Sequence, residues 1–261
     1  MRGHGDAGSP GDRAAASGTG AHAGAAGEAG GTARADLARL HVVIPLRSLE
    51  GGKTRLGAAL DAEEREELIV GMLRHVLAVT LAWGGAGDVL VVSADPAVLA
   101  IAARDGARTL RQRTGDLNAG IRLGRDDVVA AGATALLVLP ADLPLLEAAS
   151  LERLRDASDA ALAAGSGRAL VAIVPADARS GTNALLLAPP DAIEPAFGPD
   201  SLRAHLEAAR AADATVQLVE DPALGFDLDT PADVERLDPA RLAALQAIGA
   251  AAGAAGAGVD P

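Results

Sequence analysis

The chain has 261 residues, of which 49% are apolar and 1% aromatic, so it can bury a sizeable core of Leu, Val, Ile and Ala and is not a wholly disordered chain. Its net charge of −12 excludes a general nucleic-acid binder, which needs a basic face. The lack of Cys excludes disulfides, thiolate zinc sites and Cys nucleophiles, and suits a reducing cytoplasm. No apolar run reaches the roughly 18 residues that would span a membrane, and no apolar stretch follows the first charges as in a secretory signal.

Residues 1–38 are rich in Gly, Ala, Asp and Ser without periodicity and read as a disordered tail. The folded domain is expected over 39–240, and 241–261, ending in a Gly/Ala-rich run, reads as a flexible C-terminal tail. Inside the domain, the apolar run His41–Leu46 reads as a buried strand, followed by a polar loop. A long helix is expected from Asp61, with Glu64 three residues on as a capping box. Its apolar positions Leu68, Met72, Leu73, Val76, Leu77 and Thr80 fall on one face.

A second strand is expected over Asp88–Val92. Asp95 then caps a short helix with Pro96 in its first turn. A weak strand at Arg108–Leu110, a helix over Leu117–Ala131 and an apolar strand at Ala135–Leu139 follow. Next come a helix near Ser150–Ala161, a strand at Ala169–Val174 and a further strand at Asn183–Leu187. A helix over Ser201–Ala211, a strand at Thr215–Val219 and a helix capped by Thr230 with Pro231 behind it complete the domain. Strands alternating with helices imply a mostly parallel α/β sheet covered on both faces. Ligands of such sheets sit beyond the carboxyl ends of the strands, so the loops after strands are the ones to read.

In the loop after the first strand, Gly51 and Gly52 permit close approach to a phosphate, and Lys53, the only Lys of the chain, and Arg55 supply charge. Gly52-Lys53-Thr54 is P-loop-like, but Arg47 stands where that motif requires Gly. Asn118 lies at a helix start, where it can bond a base, a ribose or the backbone donors of its own helix. In Leu139-Pro-Ala-Asp-Leu-Pro144, Asp142 follows an apolar strand between two prolines, a placement suited to Mg²⁺ carrying nucleotide phosphates. Ser180-Gly-Thr-Asn-Ala184 offers small donors to an anion. Ser201 opens a helix whose free N–H groups favour a phosphate or carboxylate. His205 lies one turn further on; no G-x-S-x-G elbow supports a hydrolase, so His205 reads as a packing residue. Asp227 and Asp229 are two apart and share one face of an extended segment. Two carboxylates so placed repel unless a cation sits between them, and with Asp142 they form a candidate site for one or two Mg²⁺.

Taken in order, these motifs resemble the 2-phospho-L-lactate or phosphoenolpyruvate guanylyltransferase family of deazaflavin coenzyme F-420 biosynthesis. The resemblance runs from about Leu40 to Leu237. GTNALL, FGPDS with a following His, and DLDTP carry its specificity, whereas LPADLP is shared with other nucleotidyltransferases. It implies a Rossmann-like three-layer α/β/α nucleotidyltransferase fold of the nucleotide-diphospho-sugar transferase type. It also implies GTP, Mg²⁺ and a small phosphorylated three-carbon acid as partners. On the nucleotide side it places Leu46, Gly52, Lys53, Arg55, Asn118 and Asp142, with Lys53, Arg55 and Asp142 catalytic. Thr182, Asn183, Gly198 and Ser201 would meet the acceptor, and Asp142, Asp227 and Asp229 the metal. The family often carries Lys where Arg47 stands. A molybdenum-cofactor or sugar-phosphate nucleotidyltransferase, and a non-catalytic nucleotide-binding module, remain alternatives on these residues alone.

Overall fold

The computed structural model describes residues 34–49, 53–113, 115–165, 167–177 and 181–256, all within one compact unit. Gly51, Gly52 and Ser180, residues 1–33 of the expected N-terminal tail and residues 257–261 lie outside the described residues. Seven strands form one sheet: β1 (Leu40–Pro45), β2 (Val89–Ser93), β3 (Arg108–Arg111), β4 (Ala135–Val138), β5 (Leu170–Pro175), β6 (Thr182–Ala188) and β7 (Thr215–Leu218). Their spatial order is β3-β2-β1-β4-β6-β5-β7. Every pairing is parallel except the two made by β6, which runs against both β4 and β5.

That reversal follows from chain length. Only six residues separate β5 from β6, and a parallel crossover needs about a dozen or more. The reversal also positions the site. Thr182 pairs with Pro175, so the start of β6 lies at the edge where the parallel strands end.

Along the inner strands, successive side chains point to opposite faces. Val42, Leu137, Ala172 and Leu186 join a core beneath α1 (Ala62–Ala82), α2 (Pro96–Arg104) and α4 (Ala148–Ala164). Val43, Leu136, Val171 and Leu185 join a second core beneath α3 (Leu117–Ala130) and α5 (Ser201–Ala211). The result is the three-layer α/β/α arrangement. Helix α1 begins as expected: Asp61 N–H donates to the Glu64 carboxylate at 2.8 Å and Glu64 N–H to the Asp61 carboxylate at 2.9 Å. All six of its expected apolar-face positions are buried.

Two short helices, α6 (Pro222–Gly225) and α7 (Pro231–Arg236), precede a longer one that departs from expectation. The segment read as a flexible tail from residue 241 carries α8 (Pro239–Gly256), which lies along α1. Leu245 is fully buried in a third core with Leu68, Met72, Phe226 and Leu228. Backbones meet where the glycines fall: a Cβ on Gly71 would lie 1.9 Å from the Leu245 carbonyl oxygen, and one on Gly249 1.9 Å from that of Glu67. The Ala/Gly composition that reads as a tail therefore serves close helix packing. Among the described residues no helix is long and apolar enough to cross a membrane.

Candidate active site

The loops after β1 and β4, the start of β6, the segment leading into α5 and the segment between α6 and α7 surround one open cleft of about 690 Å³. Its acidic end is built by alternation. In Phe226–Asp229, Phe226 and Leu228 are buried in the third core, so Asp227 and Asp229 point the other way, into the cleft. The Leu228 N–H donates to the Asp142 carbonyl at 3.2 Å, which docks this segment beside the loop after β4. Asp142, Asp227 and Asp229 each offer a carboxylate oxygen, and these oxygens lie within 4.8 Å of one another.

Lys53 sits within this cluster. The Lys53 ammonium donates to both the Asp142 and Asp229 carboxylates. Burial alone would lower its pKa; the two carboxylates outweigh burial and hold it above the ordinary lysine value. The second oxygen of Asp142 is buried and has no hydrogen-bond partner among the described residues. A buried anionic oxygen without a partner is costly, and three carboxylates are the hard oxygen donors that Mg²⁺ and similar cations take. The donor set therefore fits a divalent cation. Arg47 and Arg55 line the same cleft, as does Leu46, while Gly52 lies outside the described residues.

The other predicted side chains are placed differently from one another. Asn118 does not line the cleft. Its amide clamps the Phe197 main chain, accepting from Phe197 N–H at 2.8 Å and donating to the Phe197 carbonyl at 2.9 Å. Asn183 lines the cleft, but its amide nitrogen donates to the Leu224 and Gly225 carbonyls at 3.0 and 2.8 Å, just ahead of Asp227. The Ser201 hydroxyl accepts from the Thr182 N–H at 2.9 Å and so ties α5 to β6. Gly198 adopts φ 136°, a conformation side-chain-bearing residues rarely hold. Asp200 follows in the left-handed region and gives α5 no side-chain cap; the Ser201 N–H donates to the Gly198 carbonyl at 3.2 Å, and Gly198, Asp200 and Ser201 all line the cleft. Thr182 lines the cleft wall.

Three positioning residues escaped the sequence reading. Asp95, read only as a cap, also accepts from the Ser48 hydroxyl at 2.9 Å and the Leu49 N–H at 3.0 Å, fixing the loop after β1. Burial pushes its pKa up, but these bonds prevail and hold it below the usual carboxylate value. Asp233 accepts from the N–H groups of Asp229 and Thr230 at 3.1 and 2.8 Å; its place three residues after Thr230 is the only sequence signal. His205 bonds Thr182 and Ala196, at 3.0 and 2.9 Å.

Residues 40–237 match the family described as guanylyl transferase CofC like. A phosphoenolpyruvate guanylyltransferase of Rubrobacter xylanophilus is 48% identical, over 75% of this chain and 92% of its own length. One from Sphaerobacter thermophilus is 43% identical, over 75% and 90%. Among solved structures, a putative nucleotide-diphospho-sugar transferase from Desulfovibrio desulfuricans superposes with TM-score 0.63 at 18% identity, over 82% of this chain and 97% of its own. A Methanothermobacter nucleotidyl transferase gives 0.56 at 20% identity, over 79% and 99%. Both share the fold.

Proposed function

The chain belongs to the guanylyl transferase CofC-like family, and from that premise we propose that it transfers GMP from GTP to the phosphate of phosphoenolpyruvate, releasing pyrophosphate, in the cytoplasmic synthesis of coenzyme F-420. The observation that carries this reading is the meeting of Asp142, Asp227 and Asp229 with Lys53 at one end of a cleft whose other wall is Thr182 and the start of α5. The first group suits a nucleotide triphosphate and the second a small anion.

The acceptor phosphate oxygen attacks the α-phosphorus of GTP in line. A new P–O bond forms, and the bond from the α-phosphorus to the bridging oxygen breaks with pyrophosphate as leaving group. A phosphate monoester is already dianionic at neutral pH, with a second pKa of about 6, so no general base is required. In keeping with this, no His lines the cleft among the described residues. The chain's task is positioning and charge neutralisation. Lys53 exchanges its carboxylate partners for phosphate oxygens, and Arg47 and Arg55 add charge along the same loop. Asp142, Asp227 and Asp229 would hold Mg²⁺, which when bound neutralises charge on the triphosphate. Thr182, Gly198 and Ser201, at the N-terminal end of α5, receive the acceptor's carboxylate or phosphate.

A pyrophosphate-release assay with GTP and a panel of phosphoenolpyruvate, 2-phospholactate and 3-phosphoglycerate tests the reading. Release is expected with phosphoenolpyruvate. GTP binding without release for any acceptor would leave only a nucleotide-binding module.

A further inference from the structure

His205 is fully buried, is not part of the cleft lining and has no role in the reaction as written above. Its two ring nitrogens nevertheless have unequal partners. Nε2 lies 2.9 Å from the Ala196 N–H, a backbone group that can only donate. Nε2 must then accept, and a neutral ring carries its proton on Nδ1. That Nδ1 lies 3.0 Å from the Thr182 hydroxyl oxygen. The ring therefore donates to Thr182, and the opposite tautomer would set two N–H groups against each other at Ala196. Burial keeps the ring neutral, with its pKa lowered to about 4. Phe197 packs edge-on against it, with ring centroids 5.1 Å apart.

Thr182 thus receives a proton on one side and retains its own O–H. Among the described residues that hydroxyl has no partner besides His205, and Thr182 lines the cleft. Its proton is left to a ligand oxygen. We propose that His205 is a positioning residue that fixes the Thr182 hydroxyl as a hydrogen-bond donor to an anionic oxygen of the acceptor. This rests on the reading of Thr182 as part of the acceptor subsite. The device favours a carboxylate or phosphate oxygen at that point, which only accepts, over any group that presents a hydrogen. It also couples the loop carrying Ala196 and Phe197 to the polarity of the subsite, because the same imidazole serves both.

Two measurements on the full chain test it. The first is a ¹⁵N-imidazole spectrum of the wild-type protein near pH 7.5, which reads the tautomer with no substitution. A neutral ring protonated on Nδ1 is expected; an Nε2-protonated or charged ring overturns the proposal and leaves the acceptor subsite as read. The second is a double-mutant cycle in steady-state kinetics. Thr182→Val removes one charge-assisted bond and should raise the KM for phosphoenolpyruvate roughly tenfold or more, with the KM for GTP within about twofold. His205→Phe should move the same constant in the same direction. His205→Gln, whose amide can accept from Ala196 and donate to Thr182, should restore most of it. The double variant Thr182→Val with His205→Phe should be no worse than Thr182→Val alone. Effects that multiply would assign His205 a packing role and end the proposal. An unchanged phosphoenolpyruvate KM in Thr182→Val would remove the acceptor from Thr182, and the proposal with it. If His205→Phe does not fold, the tautomer spectrum and the His205→Gln constants decide.

Discussion

Replacing Gly71 by Ala sets two effects of opposite sign against each other. In an exposed helix interior, Gly→Ala stabilises by about 1 kcal/mol. Here the new Cβ would stand 1.9 Å from the Leu245 carbonyl oxygen, and ordinary contact begins at 3.4 Å, so α1 and α8 must part by about 1.5 Å. The obstruction is backbone and cannot rotate aside. Forced overpacking of this kind costs about 1–3 kcal/mol. Parting the helices also draws Leu245 out of the core it shares with Phe226 and Leu228, where complete loss of a Leu side chain costs about 2–5 kcal/mol. The clash and the lost packing outweigh the propensity gain, and a net loss of about 1–2 kcal/mol is expected. For a domain of this size that lowers Tm by roughly 2–8 °C. Calorimetry reads the shift, and hydrogen exchange should show the α8 amides losing protection first. A Tm equal to or above that of the wild type would mean that propensity alone governs the position, and would refute the docking of α8 on α1.

His205 predicts an acid-sensitive stability. Its folded pKa of about 4 lies below the ordinary 6.5, so its contribution is complete above pH 6.5 and is lost as pH falls toward 4, by about 3 kcal/mol. Urea unfolding at pH 7.5 and 4.5 should show the wild type losing more stability than His205→Gln; equal losses would mean that the imidazole is free to protonate in the fold. Lys53→Ala removes charge-assisted bonds worth about 1.5–3 kcal/mol and should lower kcat/KM roughly 10- to 150-fold; full activity would exclude a phosphate role. Asn118→Ala frees the Phe197 main chain, costs about 2 kcal/mol of stability, and should raise the KM for the acceptor more than that for GTP. A rise confined to GTP would return Asn118 to the nucleotide.

What the sequence discloses depends on how each residue makes its contacts. The α1 capping box and apolar face were legible because both are local patterns, spaced three and four residues apart. Asp227 and Asp229 were legible for the same reason, since Phe226 and Leu228 alternate with them. Helix α8 was not, because it packs through backbone at Gly71 and Gly249, and Ala beside Gly gives no polar–apolar contrast to read. Short polar side chains were the hardest. Asn118 was assigned to the nucleotide, yet its partner is the backbone of a residue 79 positions away. Asn183 was assigned to the acceptor, and its amide nitrogen holds the turn before Asp227. Only the fold says whether such a residue meets a ligand or the main chain that carries one.

Those main-chain bonds share a logic. Asp95 fixes the loop after β1, Asn118 the Phe197 segment, Asn183 the approach to Asp227, and Asp233 the backbone at Asp229 and Thr230. Each fixes main chain that borders the cleft, Asp233 at the start of its own helix and the other three across elements, so the groups that face a ligand are set before it arrives. Lys53 is built differently. It sits at φ 52°, uncommon for a side-chain-bearing residue, and its ammonium is held by two carboxylates rather than by main chain. A triphosphate offers the same kind of oxygen with more charge, so the ammonium can change partners with no backbone bond to undo. On the proposed reading, the rigid parts of the cleft would set where the phosphates lie, and the lone lysine would follow them.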